Sequence, residues 1–395
     1  MTPIYLDHHA TTPVDPGVVE AMLPFHGERF GNPSSRQHWF GADAHRAVED
    51  ARARLAALVG ADPASIVFTS GATESDNLAV RGVARASADR GRHVVTTVLE
   101  HPAVLEPCRT LEREGFEVTR VGVGPAGVLD PSEVAAALRP DTVLVSVMAA
   151  NNEVGTIQPV AEIARLCRHA GVPVHTDAVQ ALGRIPVDVD SWGVDLMSLS
   201  AHKAYGPKGI GALYVRLERR PRIRLQAQSE GGGQERGLRS GTLNVPAIVG
   251  FGAAATLARV ALASGEPERI AALRDRLLRG LRERIDGLEL NGAPSPRLPG
   301  NLHVSITRVE AETLLLSLAD RVALSSGAAC AEAGGKGSHV LRALGLPDER
   351  VYTALRFGIG RFNTDEEIDV VVGALVEAVR ATRDRWQPVP APGSL

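Results

Sequence analysis

Lysine is scarce in this chain, and one lysine stands beside a serine and a histidine at the end of an apolar run. The 395 residues contain 43 basic side chains, but the only lysines are Lys203, Lys208 and Lys336. Arginine stays protonated and cannot act as an amine nucleophile, whereas lysine can. Lys203 follows the run 196–199 in Ser200-Ala-His-Lys203, so we expect it to have a chemical role. For Lys208 and Lys336, chance retention is an equal alternative.

Two further segments carry groups that complement a reactive lysine. Val172-Pro-Val-His-Thr-Asp177 places an acid just past an apolar run, where open α/β sheets hold their ligands. Thr69-Ser-Gly-Ala-Thr-Glu-Ser75 precedes a helical pattern at 76–84, and such a turn either presents amides to an anion or simply caps the helix. One ligand would use all three segments. Pyridoxal phosphate needs a lysine for its aldehyde, a carboxylate for its ring nitrogen and an anion site for its phosphate.

The elements that must position these groups alternate between apolar runs and helical patterns from about residue 43 to 215. A helical pattern at 43–59 ends at Gly60, and Asp130-Pro-Ser-Glu133 has the form of a capped helix start. The predicted strands are 66–69, 94–98, 118–121, 142–147, 172–175 and 196–199. Apolar runs without polar alternation, separated by helices, indicate a mostly parallel sheet covered by helices on both faces. We therefore predict an α/β fold.

After residue 216 the pattern changes to that of a second, smaller α+β unit. Long helical patterns occupy 245–285, and the predicted elements beyond them are strands at 302–306 and 354–359 and helices at 311–318 and 365–381. We predict a large cofactor-binding domain of residues 14–257 and a small domain formed by 1–13 and 258–386. The proline-rich residues 387–395 are predicted to be a flexible tail.

Composition and charge exclude several classes of function. A net charge of −3 gives no electrostatic footprint for nucleic acid or an anionic membrane, and 4% aromatic residues are too few for base-stacking platforms. Cys108, Cys167 and Cys330 are too widely spaced for a disulfide framework or a structural zinc site, and they suit a reducing cytosol. Asp7 and two histidines interrupt the first ten residues, where a signal peptide needs an apolar core. We expect a cytoplasmic protein with no metal site.

Two patterns resemble functional motifs but predict structure only. Gly122-Val-Gly-Pro-Ala-Gly127 has the spacing of a dinucleotide fingerprint, but Pro125 interrupts it and the helical signal begins only at Asp130. We interpret it as a turn. The uncharged span 240–258 contains a proline and several glycines, so we interpret it as a loop leading into a buried helix and not as a membrane span.

The sequence resembles the cysteine desulfurases of the NifS/IscS type, within the class V aminotransferase group of fold type I pyridoxal phosphate enzymes. The resemblance extends from Ile4 to about Glu367. The motifs that carry it are Ile4-Tyr-Leu-Asp-His-His-Ala-Thr-Thr-Pro13, Phe30-Gly-Asn-Pro-Ser-Ser35, Phe68-Thr-Ser-Gly-Ala-Thr-Glu-Ser-Asp-Asn77, Asn151-Asn-Glu-Val-Gly155, Ser200-Ala-His-Lys203 through Gly206-Pro-Lys-Gly-Ile-Gly211, Arg239-Ser-Gly-Thr242 and Ser325-Ser-Gly-Ala-Ala-Cys330.

The resemblance implies a role for each matching residue around pyridoxal phosphate. Lys203 would form the Schiff base, Asp177 would pair with the ring nitrogen, and Gln180 would contact the ring hydroxyl. His101 would stack on the ring and assist proton transfer. The expected phosphate ligands are Ala72, Thr73, Ser200 and His202, joined by Thr242 from the second subunit of a homodimer. Asn152, also beside the cofactor, and Arg356 would hold the carboxylate of the substrate, L-cysteine.

The resemblance also implies that Cys330 is the sulfur-accepting nucleophile. Its persulfide would pass to an acceptor protein, a scaffold or a thiolation enzyme, or to a small thiol. Iron–sulfur cluster assembly is a pathway of such enzymes. Two departures bear on this: 328–332 lacks the hydroxyl residues that many relatives carry beside the nucleophile, and the C-terminal tail does not resemble their scaffold-docking segment.

Other functions remain open from the sequence. A selenocysteine lyase or a cysteine-sulfinate desulfinase would use the same scaffold with less need for Cys330. A true aminotransferase would need a 2-oxo acid acceptor. A sulfur carrier or scaffold protein that only resembles an enzyme would bind no cofactor.

Overall fold

The structure is a computed structural model that describes residues 2–326 and 337–385. Its strands are β1 (Ile4–Tyr5), β2 (Ile66–Thr69), β3 (His93–Thr97), β4 (Glu117–Val121), β5 (Thr142–Ser146), β6 (Val174–Asp177), β7 (Leu196–Ser200), β8 (Gly211–Val215), β9 (Leu288–Leu290), β10 (Asn301–Ile306), β11 (Val322–Ala323) and β12 (Ala354–Gly358). Its helices are α1 (Pro16–Met22), α2 (Trp39–Val59), α3 (Ala72–Ala86), α4 (Pro102–Arg113), α5 (Pro131–Ala136), α6 (Val160–His169), α7 (Val189–Trp192), α8 (Val245–Ala263), α9 (Glu266–Arg282), α10 (Ala311–Leu318), α11 (His339–Ala343), α12 (Asp348–Tyr352) and α13 (Asp365–Arg385).

A seven-stranded sheet with the order β2-β8-β7-β6-β5-β3-β4 forms the centre of the larger part. The strands from β7 to β4 pair in parallel, while β8 runs antiparallel to both β7 and β2. One face of the sheet packs against α2, α6 and α8, and the other packs against α3 and α4. The predicted α/β fold with a mostly parallel sheet covered on both faces is confirmed.

Local sequence signals account for several element boundaries. Helix α2 ends at Gly60, whose φ of 67° is a left-handed conformation that glycine adopts without strain. Asp130 accepts a hydrogen bond from the Ser132 amide and begins α5, with proline at the first helical position, as predicted. The glycine-rich stretch after β4 is a turn with no helix at Gly127, which confirms the interpretation of that pattern.

The predicted start of α3 and the predicted end of β6 were wrong, and both lie beside the candidate site. Helix α3 begins at Ala72 and not at Asp76, so its N-terminus lies directly after the β2 turn. Strand β6 is shifted toward its carboxyl end, and Asp177 is its last residue instead of lying past it. Both errors have the same cause. The first turn of α3 and the last two residues of β6 are polar, and apolar patterning alone does not show that such residues belong to a helix or a strand.

A second hydrophobic core joins three antiparallel strands, in the order β12-β10-β9, to α9, α10 and α13. Leu6, fully buried, belongs to this core although it lies at the start of the chain. It is brought there by β1, which pairs in parallel with β11. The predicted division into domains at residues 13/14 and 257/258 stays a prediction, and its second boundary falls within helix α8. The predicted tail, 387–395, lies outside the described residues.

Helix α8 is long and apolar enough to cross a membrane by length and composition alone. More than half of its apolar window is buried, and the helix packs against α2 and α1. Core helices of soluble proteins have the same properties, and the segment is the buried helix that the sequence predicts at the end of a loop.

Candidate active site

A cavity of about 520 Å³ opens at the carboxyl ends of the parallel strands. Ser70 follows β2, His101 follows β3, Asn152 follows β5, and Asp177 and Ser200 are the last residues of β6 and β7. Open α/β sheets place their ligand sites at this edge. The predicted site residues that line the cavity are Ala72, Thr73, His101, Asn152, Asp177, Gln180, Ser200, His202, Lys203 and Arg356.

Lys203 lies on a short 3₁₀ turn, Ala201–Lys203, directly after β7. Its Nζ donates hydrogen bonds to the carbonyl oxygens of His9, at 2.6 Å, and Ala10, at 2.7 Å. Two backbone acceptors therefore hold the amine at the wall of the cavity. Neither contact neutralises its charge, and this charge acts on the other titratable groups of the site.

Asp177 is almost fully buried, with a relative exposure of 7%. Its Oδ1 accepts a hydrogen bond from the Val179 amide at 2.9 Å. Burial raises the pKa of Asp177 to about 6, and the Val179 bond and the positive charge of Lys203 oppose this rise. A carboxylate at this depth is stabilised by a cationic partner in the cavity.

Asp76 is a second buried carboxyl group at the wall of the cavity, and the sequence analysis did not single it out. Neither of its oxygens has a hydrogen-bond partner among the described residues, and the His175 Nε2 lies 3.6 Å away. The His175 ring lies between the hydroxyls of Ser146 and Ser198, each at 2.9 Å, and burial lowers its pKa to about 3. Burial and the charge of Asp177 raise the pKa of Asp76 well above its ordinary value, which favours the protonated form of this carboxyl group.

The N-terminus of α3 provides an anion site. The helix begins at Ala72 beside the cavity, and no side chain caps its first-turn amides in the described part of the chain. Thr69 Oγ1 donates to the Gly71 carbonyl at 3.0 Å and fixes the turn before the helix. Unpaired amides at the positive end of a helix bind phosphate.

His101 caps the N-terminus of α4 and faces the same cavity. Its Nδ1 accepts a hydrogen bond from the Ala103 amide at 3.1 Å, so the neutral ring carries its proton on Nε2. Burial and the charge of Lys203 lower the pKa of His101 to about 4. A neutral, flat ring at this position can stack on an aromatic ligand.

Gln180 is held by two neighbours that the sequence analysis did not assign to the site. Its Nε2 donates to the His9 carbonyl at 3.0 Å, and its Oε1 lies 2.9 Å from His9 Nδ1 and accepts from Arg184. Burial and the charge of Arg184 lower the pKa of His9. The motif 4–13 carried a resemblance, but nothing in its residue types indicated that its backbone enters the cavity.

Arg356, on β12, brings the second core into the site. The residue is buried, and its Nη1 donates to the Asn152 carbonyl at 3.0 Å. The two residues expected to hold a substrate carboxylate are therefore neighbours. Its Nη2 donates to Asp7 Oδ1 at 2.9 Å.

The described residues fit pyridoxal phosphate. An amine, a buried carboxylate, an uncapped helix N-terminus and a neutral imidazole line one cavity, and these are the groups that bind its aldehyde, ring nitrogen, phosphate and ring face. No group of three or more His, Cys, Asp or Glu side chains in the described ranges could hold a metal ion.

Comparison with known proteins places this arrangement in a family. The family described as aminotransferase class-V matches residues 4–371. The chain belongs to the class V aminotransferases. Among this family's curated members, the cysteine desulfurase IscS of Anaeromyxobacter sp. (strain Fw109-5) is 56% identical over 382 residues, which are 97% of this chain and 94% of that protein.

Solved structures of class V aminotransferases share the fold over nearly the whole chain. One described as a NifS-like protein is 38% identical, with a TM-score of 0.89, and the match covers 96% of this chain and 100% of the other. Another, described as SspA in complex with cysteine, is 35% identical with a TM-score of 0.80, covering 91% and 100%. The fold of the chain is that of the fold type I pyridoxal phosphate enzymes.

Two predicted site residues of this class V aminotransferase, Thr242 and Cys330, are not among the described residues that line the cavity. Thr242 is exposed and does not line the cavity of its own chain, and its assignment to the site of a second subunit stays a prediction. Cys330 and Lys336 lie outside the described residues. The other two cysteines, Cys108 and Cys167, are buried in α4 and α6, and burial raises the pKa of each thiol to about 12.

Proposed function

We propose that this protein is a pyridoxal phosphate-dependent cysteine desulfurase, which converts L-cysteine to L-alanine and retains the sulfur as a persulfide on Cys330. The observation that carries the proposal is the single cavity in which Lys203, Asp177 and the N-terminus of α3 meet Arg356. The similarity to a relative named cysteine desulfurase, and to a solved protein in complex with cysteine, supports the choice of substrate.

Pyridoxal phosphate, when bound, supplies an electron sink that makes the Cα proton of an amino acid acidic. The chain's own residues bind and orient both molecules. The amides of α3 bind the phosphate, Asp177 holds a proton on the ring nitrogen, and His101 covers the ring. Arg356 binds the substrate carboxylate by charge-assisted hydrogen bonds.

Lys203 is the group that moves the proton at Cα. Its amine donates hydrogen bonds to the carbonyls of His9 and Ala10. These contacts can hold the side chain in place whenever the amine is not bonded to the cofactor. The ring of His101 is neutral because its pKa is lowered to about 4, so at neutral pH its Nε2–H can donate a hydrogen bond while the ring stacks on the cofactor.

Cys330 takes the sulfur. Its thiolate attacks the sulfur of the substrate, a new S–S bond forms, and the C–S bond of the substrate breaks with its electron pair going to carbon. That carbon then takes up a proton. The net reaction converts one cysteine and one thiol to one alanine and one persulfide, with no external oxidant or reductant.

The finer features of the proposal concern partners. The persulfide sulfur would pass to an acceptor protein or to a small thiol in the cytoplasm. Two copies of the chain would form a homodimer, with Thr242 of the partner subunit joining the phosphate site. Thr242 is exposed. Glu235 anchors the segment that leads to it, because its carboxylate accepts a hydrogen bond from the Phe68 amide at 2.7 Å.

The test is to supply the purified holoenzyme with L-cysteine, L-selenocysteine and L-cysteine sulfinate, and to measure alanine and protein-bound persulfide. We expect alanine from cysteine at the highest rate, together with a mass increase of one sulfur on the peptide that contains Cys330. Alanine mainly from selenocysteine or from the sulfinate, without persulfide, would replace this function with a lyase or a desulfinase.

A further inference from the structure

Asp7 and Arg356 form an ion pair at the edge of the cavity, between residues 349 positions apart in the chain. Arg356 Nη2 donates to Asp7 Oδ1 at 2.9 Å, and the two side chains are 5% and 19% exposed. The pair is therefore largely shielded from water. A guanidinium at this depth needs an anionic partner, and Asp7 is one whether or not substrate is present.

The position of Asp7 is itself fixed from three sides. The Ser325 hydroxyl donates to Asp7 Oδ1 at 3.3 Å, and the Asp7 carbonyl accepts hydrogen bonds from the Tyr5 hydroxyl at 3.1 Å and the Ala10 amide at 2.9 Å. The backbone of Asp7 also forms a β-bridge with Gly358, two residues beyond Arg356. The carboxylate therefore acts as a rigid acceptor for the guanidinium.

Asp7 does not use up the hydrogen-bonding capacity of Arg356. A guanidinium has five N–H donors in one plane. Asp7 takes one from Nη2, and the Asn152 carbonyl takes one from Nη1 at 3.0 Å. Both terminal nitrogens keep a second N–H, so a substrate carboxylate can still bind to the pair of them. Because both terminal nitrogens are held, the orientation of the guanidinium plane is fixed. Binding of a carboxylate through two parallel hydrogen bonds depends on that orientation.

From this geometry we infer that Asp7 is a positioning residue for substrate binding, which orients Arg356 toward the carboxylate of the amino acid substrate. The inference rests on the proposed function, because it uses the assignment of Arg356 to the substrate. It assigns no proton transfer or covalent step to Asp7. Its contribution is to the affinity for amino acids that carry a carboxylate.

A second ion pair in the same region provides a matched control. Asp15 Oδ2 accepts a hydrogen bond from Arg361 Nη1 at 2.9 Å, and the side chains are 16% and 14% exposed. This pair also joins the N-terminal segment to the residues after β12, but it does not line the cavity. Arg361 keeps Glu266 as a second partner. Asp15→Asn thus removes a comparable charge without changing Arg356.

The experiment compares wild-type holoenzyme with Asp7→Asn, Asp15→Asn and Arg356→Ala, using L-cysteine and cysteamine, which lacks the carboxylate. We expect Asp7→Asn to raise the KM for L-cysteine by about tenfold, the effect of losing one well-oriented charged hydrogen bond. We expect kcat to change little. The dissociation constant of cysteamine, measured from the absorbance of the bound cofactor, should be the same in the wild type and the variant. Asp15→Asn should leave both values unchanged.

Each outcome supports or overturns the inference. An Asp7→Asn variant whose KM for L-cysteine is unchanged or lower, in a protein where Arg356→Ala raises it, shows that Asp7 does not position Arg356. If Asp7→Asn loses as much affinity for cysteamine as for cysteine, the variant only damages the fold. The same conclusion follows if the apoprotein of Asp7→Asn unfolds at a urea concentration far below that of Asp15→Asn. If Arg356→Ala leaves the KM for cysteine unchanged, the assignment of Arg356 in the proposed function fails instead.

Discussion

Asp177 lies close enough to Asp76 for its charge to raise the pKa of that second buried carboxyl group. The two side chains differ in their partners, since Asp177 accepts a hydrogen bond from Val179 and experiences the charge of Lys203, while both oxygens of Asp76 lack a partner in the described structure. The protonated form is therefore favoured at Asp76, and ionisation is favoured at Asp177. Asp177 is then the carboxylate that we propose to pair with the ring nitrogen.

Neutralising these two acids should have unequal effects. Asp177→Asn removes the anion that holds a proton on the ring nitrogen, and we expect about a hundredfold loss of turnover with the fold retained. Asp76→Asn replaces a carboxyl group whose raised pKa favours the neutral form, and its loss should be much smaller. Alanine formation, with circular dichroism for the fold, measures both. Equal losses in the two variants would contradict this assignment of charge.

Lys203→Ala should abolish the covalent link between the protein and its cofactor. Lys203 is the lysine held at the cavity wall by backbone carbonyls, whereas Lys208 is exposed at the rim of the same cavity. The measurement is the mass of the protein after borohydride reduction in the presence of pyridoxal phosphate. Lys208→Ala is the control and should keep the added mass. A reduced link at Lys208 or Lys336 in the Lys203→Ala protein would show that the assignment is wrong.

Cys330→Ser separates cofactor chemistry from sulfur transfer. A serine hydroxyl is not ionised at neutral pH, whereas a thiol supplies some thiolate. The variant should still change its absorbance when cysteine is added, because Lys203 moves the Cα proton, but it should form neither alanine nor persulfide. Cys167→Ala, at a buried thiol with its pKa raised to about 12, should keep alanine formation. Wild-type rates of alanine formation in Cys330→Ser would favour the lyase.

Glu100 predicts a pH dependence of stability in the apoprotein. Its Oε1 accepts from the Thr97 hydroxyl and the Met148 amide, its Oε2 is buried without a partner, and burial raises its pKa from 4.5 to about 8. At a pH between these two pKa values, the folded protein holds a proton on Glu100 that the unfolded chain has lost. The free energy of unfolding therefore falls as the pH rises. The slope for one proton is about 1.4 kcal/mol per pH unit.

Glu100→Gln removes this titration while keeping the shape of the side chain. Relative to the wild type, the variant should gain stability steadily from pH 5 to pH 8, as measured by urea unfolding at each pH. Glu106→Gln, at an exposed position on α4, should show no such trend. A constant difference between Glu100→Gln and the wild type at all pH values would mean that Glu100 is ionised in the fold.

Local patterns predicted the main sheet and the segments that place Lys203, Asp177 and Ala72 at the cavity, while the roles of the other predicted residues came from the family resemblance. Apolar runs located β2 to β7 to within about three residues, and chemistry-bearing residues at their carboxyl ends had to meet at one edge. Strand β8 was not predicted, and its antiparallel pairing with β7 and β2 depends on partners that periodicity does not identify.

The contributions of the N-terminal segment could not be predicted from residue types. His9 and Ala10 act through backbone carbonyls, which every residue has. Asp7 and Arg356 form a pair across almost the entire chain, and no spacing rule connects residues that far apart. Asp76 was missed because an acid in the second turn of a helix is ordinary, and its burial depends on the packing of α3 against the sheet.

The parallel pairing of β1 with β11, and the bridge of Asp7 with Gly358, also constrain the order of assembly during synthesis. Ile4, Tyr5 and Asp7 are synthesised before the main sheet, but their strand partners are made more than 300 positions later. A nascent chain that extends only to α8 has every strand of the main sheet and the Lys203 and Gln180 side chains that bind the His9 carbonyl. It lacks β11 and Gly358, with which β1 and Asp7 pair. Contacts of such sequence separation form late. Pairing of Asp7 with Arg356 at the cavity is therefore a late event, and translation that stops before β12 yields a protein with a formed sheet and no Arg356 in its site.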